Sequence, residues 1–227
     1  TELGYLDGVT SSIQTQIDSL GGGGGASSLD DLSDVKFGGT DFLDSLLIGS
    51  TTTGTLGGAS YNVGVGSTVF SALTTGDSNT AIGYSSLKDI TTGQHNTALG
   101  YSSLKSLTNG SYSTAIGSKS LELNTTGNYN TAIGAEALQM GTSVGYSIAI
   151  GYRSLKSNTS NNMTAIGHQA LFSSTTGTEC NALGYKALYY NTTGSANIAI
   201  GNQTLLFNTT GSYNTAVGVG SLYSNIT

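Results

Sequence analysis

The sequence predicts an all-β chain built as a parallel β-solenoid, or β-roll, of ten coils of about 17 residues, with a short coiled-coil helix at its N-terminus. Three observations carry this. An Ala-Ile-Gly-like motif recurs ten times, its glycine standing at Gly66, Gly83, Gly100, Gly117, Gly134, Gly151, Gly167, Gly184, Gly201 and Gly218, every step being seventeen residues except one of sixteen. Two apolar anchors recur with it, one just before the glycine (Ile82, Leu99, Ile116) and one four residues after it (Leu87, Leu104, Leu121). Composition agrees: 34 glycines, no proline, no tryptophan and 9% charged residues suit a fibrous repeat better than a globular enzyme.

Within the coiled-coil segment 1–20, residues 3–20 hold the one helical pattern, with Leu6, Val9, Ile13, Ile17 and Leu20 spaced at three and four. A single helix of roughly 27 Å is marginal in water, so Val9, Ile13 and Ile17 are expected to pack between chains. Gly21 to Gly25 end the helix as a joint. Residues 21–59 then read as that joint plus a small connector: 27–50 mixes Leu29, Leu32, Val35, Phe37, Phe42, Leu43, Leu46 and Leu47 with aspartates, and 51–59 is a Thr/Gly linker.

Residues 60–227 are the repeat shaft. Each copy reads as a strand through Asn-Thr-Ala-Ile, a turn at glycine, a second extended segment around leucine, and a turn at Thr-Thr-Gly. Stacked at ~4.8 Å per coil, ten coils make a rod roughly 48 Å long. Ala and Ile are neighbours on the strand and so point to opposite faces. If both faces are apolar, both are covered: Ala turned into the coil and Ile toward another chain, or the reverse. Ile82, Ile116, Ile133, Ile150, Ile166 and Ile200 are therefore expected in core or interchain packing, which asks for an oligomer.

Asn79, Asn96, Asn130, Asn197 and Asn214 recur four residues before the motif glycine, and stacking aligns them into a side-chain ladder between coils. Thr-Thr pairs precede the second glycine, but adjacent threonines point opposite ways, so a structural role is expected rather than a flat ice-binding array. Asn124, Asn191 and Asn208 begin Asn-Thr-Thr, which repetition explains without glycosylation. Tyr84, Tyr101, Tyr152 and Tyr185 follow the motif glycine, and Tyr189, Tyr190, Phe207 and Tyr223 cluster toward the C-terminal coils, where exposed rings would suit a receptor or glycan contact.

Nothing in the chain spells a catalytic or metal-binding set, so no enzyme and no cofactor are expected. His95 and His168 are the only histidines and occupy different repeat positions; Cys180 is the only cysteine and sits where Asn is usual. The net charge of −6 is uneven, with eight of thirteen acids in residues 1–59. No basic face for nucleic acid, no membrane span and no signal peptide are read from it. The chain starts mid-pattern and stops mid-repeat, as a fragment of a longer protein would.

The segments NTAIGYSSL, NTTGNYNTAIG and NTTGSYNTAVG resemble the repeats of phage tail-fibre and related trimeric surface-fibre proteins. Their Ala-Ile-Gly core is similar to the β-roll heads of trimeric autotransporter adhesins, whose repeats are typically shorter. TELGYLDGVTSSIQTQIDSL and SSLDDLSDVKF resemble connectors of phage fibres. The resemblance implies a homotrimer of parallel chains in a virion tail fibre, attached to other fibre or virion proteins at its N-terminus and meeting a host receptor or glycan at its far end. The alternatives are the head of a bacterial trimeric adhesin at the cell surface and a structural filament subunit.

Overall fold

A computed structural model of the chain describes residues 35–37, 40–50 and 52–226. The helical stretch 1–20, with Val9, Ile13 and Ile17, and the glycine joint lie outside the described residues. Strands follow one another in a single stack: β1 Val35–Phe37, β2 Phe42–Leu43, β3 Leu46–Ile48, β4 Ala59–Ser60, β5 Val63–Val65, β6 Thr80–Ile82, β7 Thr97–Leu99, β8 Thr114–Ile116, β9 Thr131–Ile133, β10 Ile148–Ile150, β11 Thr164–Ile166, β12 Asn181–Leu183, β13 Ile198–Ile200 and β14 Thr215–Val217. From β3 onward, leaving out β4, each strand pairs in parallel with the next, like residue on like residue, as in Thr80↔Thr97, Ala81↔Ala98 and Ile82↔Leu99. No helix occurs among the described residues. The described residues form an all-β parallel solenoid of ten motif-bearing coils.

The stack takes in strands N-terminal to residue 60. Leu46–Ile48 lies on Val63–Val65 in the same register, Phe42–Leu43 pairs in parallel with Ala59–Ser60, and Val35–Phe37 runs antiparallel on the outer edge of β3. The motif is hidden there by a volume exchange. Leu47 fills the slot that alanine holds elsewhere, and Gly64 in the next coil makes room for it, since a Cβ on Gly64 would meet Leu47 Cδ1 at 2.6 Å.

Inside the coil, alanines from Ala81 to Ala199 and the leucines four residues after the glycine, from Leu87 to Leu205, are buried. The alternation is thus resolved: alanine faces in, and the neighbouring Ile82, Ile116, Ile133, Ile150, Ile166 and Ile200 face out. The narrow coils from Ala81 onward take alanine on the sheet side, and the rest of the interior is filled by the leucine column, by a second column that begins with Leu73, Ile90 and Leu107, and by the polar ladders.

The segment around leucine is not the extended piece expected from its sequence. Its residues two and four places after the motif glycine take left-handed backbone angles in coil after coil, as in Ser85 (φ 54) and Leu87 (φ 45) or Lys119 (φ 60) and Leu121 (φ 51). Each such residue costs about 1–2 kcal/mol relative to the right-handed region. Hydrogen bonds to the next coil offset that cost, for example Leu87 N–H to Ser103 O at 3.1 Å and Asp89 N–H to Lys105 O at 3.0 Å. Turning the chain this tightly is what lets 17 residues close a coil around one leucine.

The single sixteen-residue step is absorbed in a turn. Gly145 N–H donates to Asn161 Oδ1 at 2.8 Å across that shortened turn, and β10 still meets β11 as Ile148↔Thr164 and Ala149↔Ala165.

Candidate interaction surface

Buried amides set the stack's registry. Asn79 Nδ2 donates to Asn62 Oδ1 at 3.1 Å and to Gly93 O at 2.9 Å, and Asn96 repeats both bonds to Asn79 Oδ1 and Gly110 O. Asn130 donates to Val144 O, Asn197 to Gly211 O, and Asn214 to Asn197 Oδ1. All five ladder asparagines read from the sequence thus stand in one column. Where it changes residue, the partner changes with it: Cys180 Sγ–H reaches Gly194 O at 3.3 Å, and burial pushes that thiol pKa up.

A second amide column was missed in the sequence. At the seventh position after the motif glycine the interior holds Leu73, Ile90 and Leu107, then switches to Asn124, Asn158, Asn191 and Asn208, all buried. Asn208 Nδ2 donates to Asn191 Oδ1 at 2.9 Å and to Gly211 O at 3.0 Å. Asparagines of the Asn-Thr-Thr segments are therefore interior. In the threonine pairs, the first hydroxyl donates to the next coil, as Thr91 to Thr108 O and Thr192 to Thr209 O at 3.0 Å, leaving the second threonine exposed.

With the ladders inward, the outward sheet side has a distinct chemistry. Between the ladder asparagine and the motif glycine no coil from Asn62 to Gly218 carries a charged residue. Two outward rows run along it. One is mainly threonine with Val63, Ile148 and Ile198; the other is Val65, Ile82, Leu99, Ile116, Ile133, Ile150, Ile166, Leu183, Ile200 and Val217. Ile82 and Ile200 are each 40% exposed and Leu99 is 43% exposed, although each lies between neighbours of its own column.

Aromatic rows flank this face on both edges. On one edge His95, Tyr112, Tyr129 and Tyr146 form a continuous ring stack with centroids 4.8, 5.1 and 5.2 Å apart. On the other, beyond the glycine turn, Tyr84 stacks on Tyr101 at 5.4 Å and His168 lies between Tyr152 and Tyr185. A charge-free apolar centre with aromatic margins has the composition of a protein–protein interface core.

The aromatic group read as a contact site stands on a different side. Tyr189 stacks on Phe172 at 5.1 Å, Tyr190 on Phe207 at 5.2 Å, and Tyr223 meets Phe207 edge-on. These rings engage one another as coil-to-coil columns and keep their outer edges exposed; Phe207 also borders a shallow recess with Thr209, Ser224 and Ile226. Near them lies the ion cluster of the described residues: Glu136 accepts from Arg153 Nε at 2.9 Å and Lys156 Nζ at 2.6 Å. Hydrogen bonds from Arg153 and then Lys156 lower the Glu136 pKa to about 2.

Among the described residues no cluster of three or more His, Cys, Asp or Glu is placed to hold a metal ion, and no helix is long and apolar enough to cross a membrane. Comparison of the chain with protein-family models, with curated proteins and with solved structures yields no match.

Proposed function

We propose that this chain is a shaft segment of a homotrimeric surface fibre of the phage tail-fibre type, in which three parallel solenoids bring their charge-free sheet faces together. The observation that carries this reading is the continuous outward apolar row from Val65 to Val217, bordered by ring stacks and free of charge along its whole length. At ~4.8 Å per coil and roughly 10 Å of strand width, the strip covers about 480 Å² per chain before its aromatic margins are added. That is within the range of the largest apolar patches monomers expose, and such patches mark interaction sites. A partner with the same repeat spacing matches it coil for coil, and a second copy of the chain is the partner certain to have that spacing.

The fibre's work in this reading is mechanical and multivalent: a stiff rod holds a receptor-binding end away from the particle, and several chains turn weak contacts into avidity. The N-terminal segment joins other fibre or virion proteins. A filament growing end to end is the weaker reading, because β1 runs antiparallel along the outer edge of β3 and occupies the place of a further parallel coil.

Charge placed on the sheet face tests the assignment. Ile133 points outward, so Ile133→Asp should leave the coil folded, with an unchanged circular dichroism spectrum, yet reduce the assembled mass to that of one chain, because assembly would bury an unpaired carboxylate. Lys105→Asp, on the side beyond the glycine turn, should leave assembly intact. An Ile133→Asp protein that sediments as the wild type does refutes the interface.

A further inference from the structure

The stack gathers positive charge that the chain's net charge of −6 conceals. Lys88, Lys105, Lys119, Arg153, Lys156 and Lys186 are all the bases of residues 60–227, and every one stands two or five residues after a motif glycine. Coil-to-coil hydrogen bonds set them in adjoining rows on one side of the rod: Asp89 N–H donates to Lys105 O, Lys119 N–H to Tyr101 O, and Lys186 N–H to His168 O. All six residues are half-buried along the coil surface. Two acids share these rows. Glu136 is already occupied by Arg153 and Lys156, and Glu122 accepts the Gln139 amide at 2.7 Å. Lys88, Lys105, Lys119 and Lys186 have no ion pair among the described residues. Lys186 Nζ instead lies over the Tyr185 and Tyr189 rings at 5.2 and 5.3 Å.

We infer that this side of the rod is a binding surface for a linear acidic polysaccharide running parallel to the solenoid axis. Lys88 to Lys186 spans six coil steps, roughly 29 Å at ~4.8 Å each. Cations one or a few coils apart fit a chain that carries one carboxylate or sulfate per one or two sugars. Duplex DNA, with a charge about every 1.7 Å, calls for a denser row. Base stacking on single strands needs free ring faces, and the rings bordering this side spend theirs on each other, as Tyr84 on Tyr101 and His168 on Tyr185. Amide groups in the same row, Gln169 between the cations and Gln203 one coil beyond Lys186, are groups that hydrogen-bond sugar hydroxyls. The surface lies beyond the glycine turn from the sheet face, so both can be occupied at once.

This names a partner class for the attachment role proposed above and rests on that role only for its biological purpose. The test is retention of the whole chain on immobilised heparin and polygalacturonate, with neutral dextran and duplex DNA as comparison matrices. Retention is expected on both acidic polysaccharides, falling steeply between about 50 and 200 mM salt, and none on dextran. K88Q/K105Q/K119Q/K186Q should weaken polysaccharide binding at least tenfold while keeping the wild-type mass and circular dichroism. Equal retention of wild type and quadruple variant, binding to dextran, absence of binding to either acidic polysaccharide, or tighter binding to DNA would each overturn the inference. Loss of the trimer is read separately, from the mass, which these lysines do not set.

Discussion

Gly117 carries φ +127, and a Cβ placed on it would stand 2.7 Å from the backbone carbonyl carbon and oxygen of Gly134 in the next coil. Neither atom can move without opening the stack. Gly117→Ala should therefore destabilise the rod by about 2 kcal/mol or more, seen as a lowered midpoint in thermal unfolding followed by circular dichroism. The opposite sign is expected at Ser174. Its hydroxyl is buried without a hydrogen-bond partner, in the column where Asn191 and Asn208 stand. Ser174→Asn should donate to Gly177 O as Asn191 does to Gly194 O at 2.9 Å, and accept from Asn191, raising stability by about 1 kcal/mol in the same assay. Repetition made the first asparagine column legible in the sequence, because asparagine holds six of its ten places, beginning with Asn62, Asn79 and Asn96. The second column stayed hidden, since its first three places are the apolar Leu73, Ile90 and Leu107 rather than asparagine.

At the scale of the element, the three-residue strand was legible from the Ala-Ile alternation, which left two arrangements open until the narrow coil took alanine inward. The leucine segment was not. Left-handed angles belong by propensity to glycine and asparagine, whereas here Leu, Ser, Lys and Arg adopt them under the pull of hydrogen bonds between coils, which no local pattern announces. The charged row on the same side was missed for a related reason: only the turn geometry brings positions two and five together. Its ion cluster makes a pH prediction. The Glu136 pKa is lowered from 4.5 to about 2, so its contribution is fully present above pH 4.5 and is lost as pH falls through about 2. A surface cluster of this kind contributes about 0.2–1 kcal/mol. Urea unfolding should show wild type more stable than Glu136→Gln by that small margin at pH 7, with the gap closing between pH 4.5 and 2.

For the whole molecule, the periodicity gave the number of motif-bearing coils and their order, while the start of the stack at Leu46 was masked by the exchange of Leu47 for alanine and Gly64 for its neighbour. The central claim concerns what the rod does with the side it leaves bare: the row from Val65 to Val217 carries no charge on ten successive coils and is predicted to meet its own copies. The most direct measurement is the solution mass of the intact chain by light scattering across a range of concentrations. One chain weighs 23.0 kDa; the account predicts three times that value, held on dilution. A folded rod that scatters as a single chain at every concentration would contradict it.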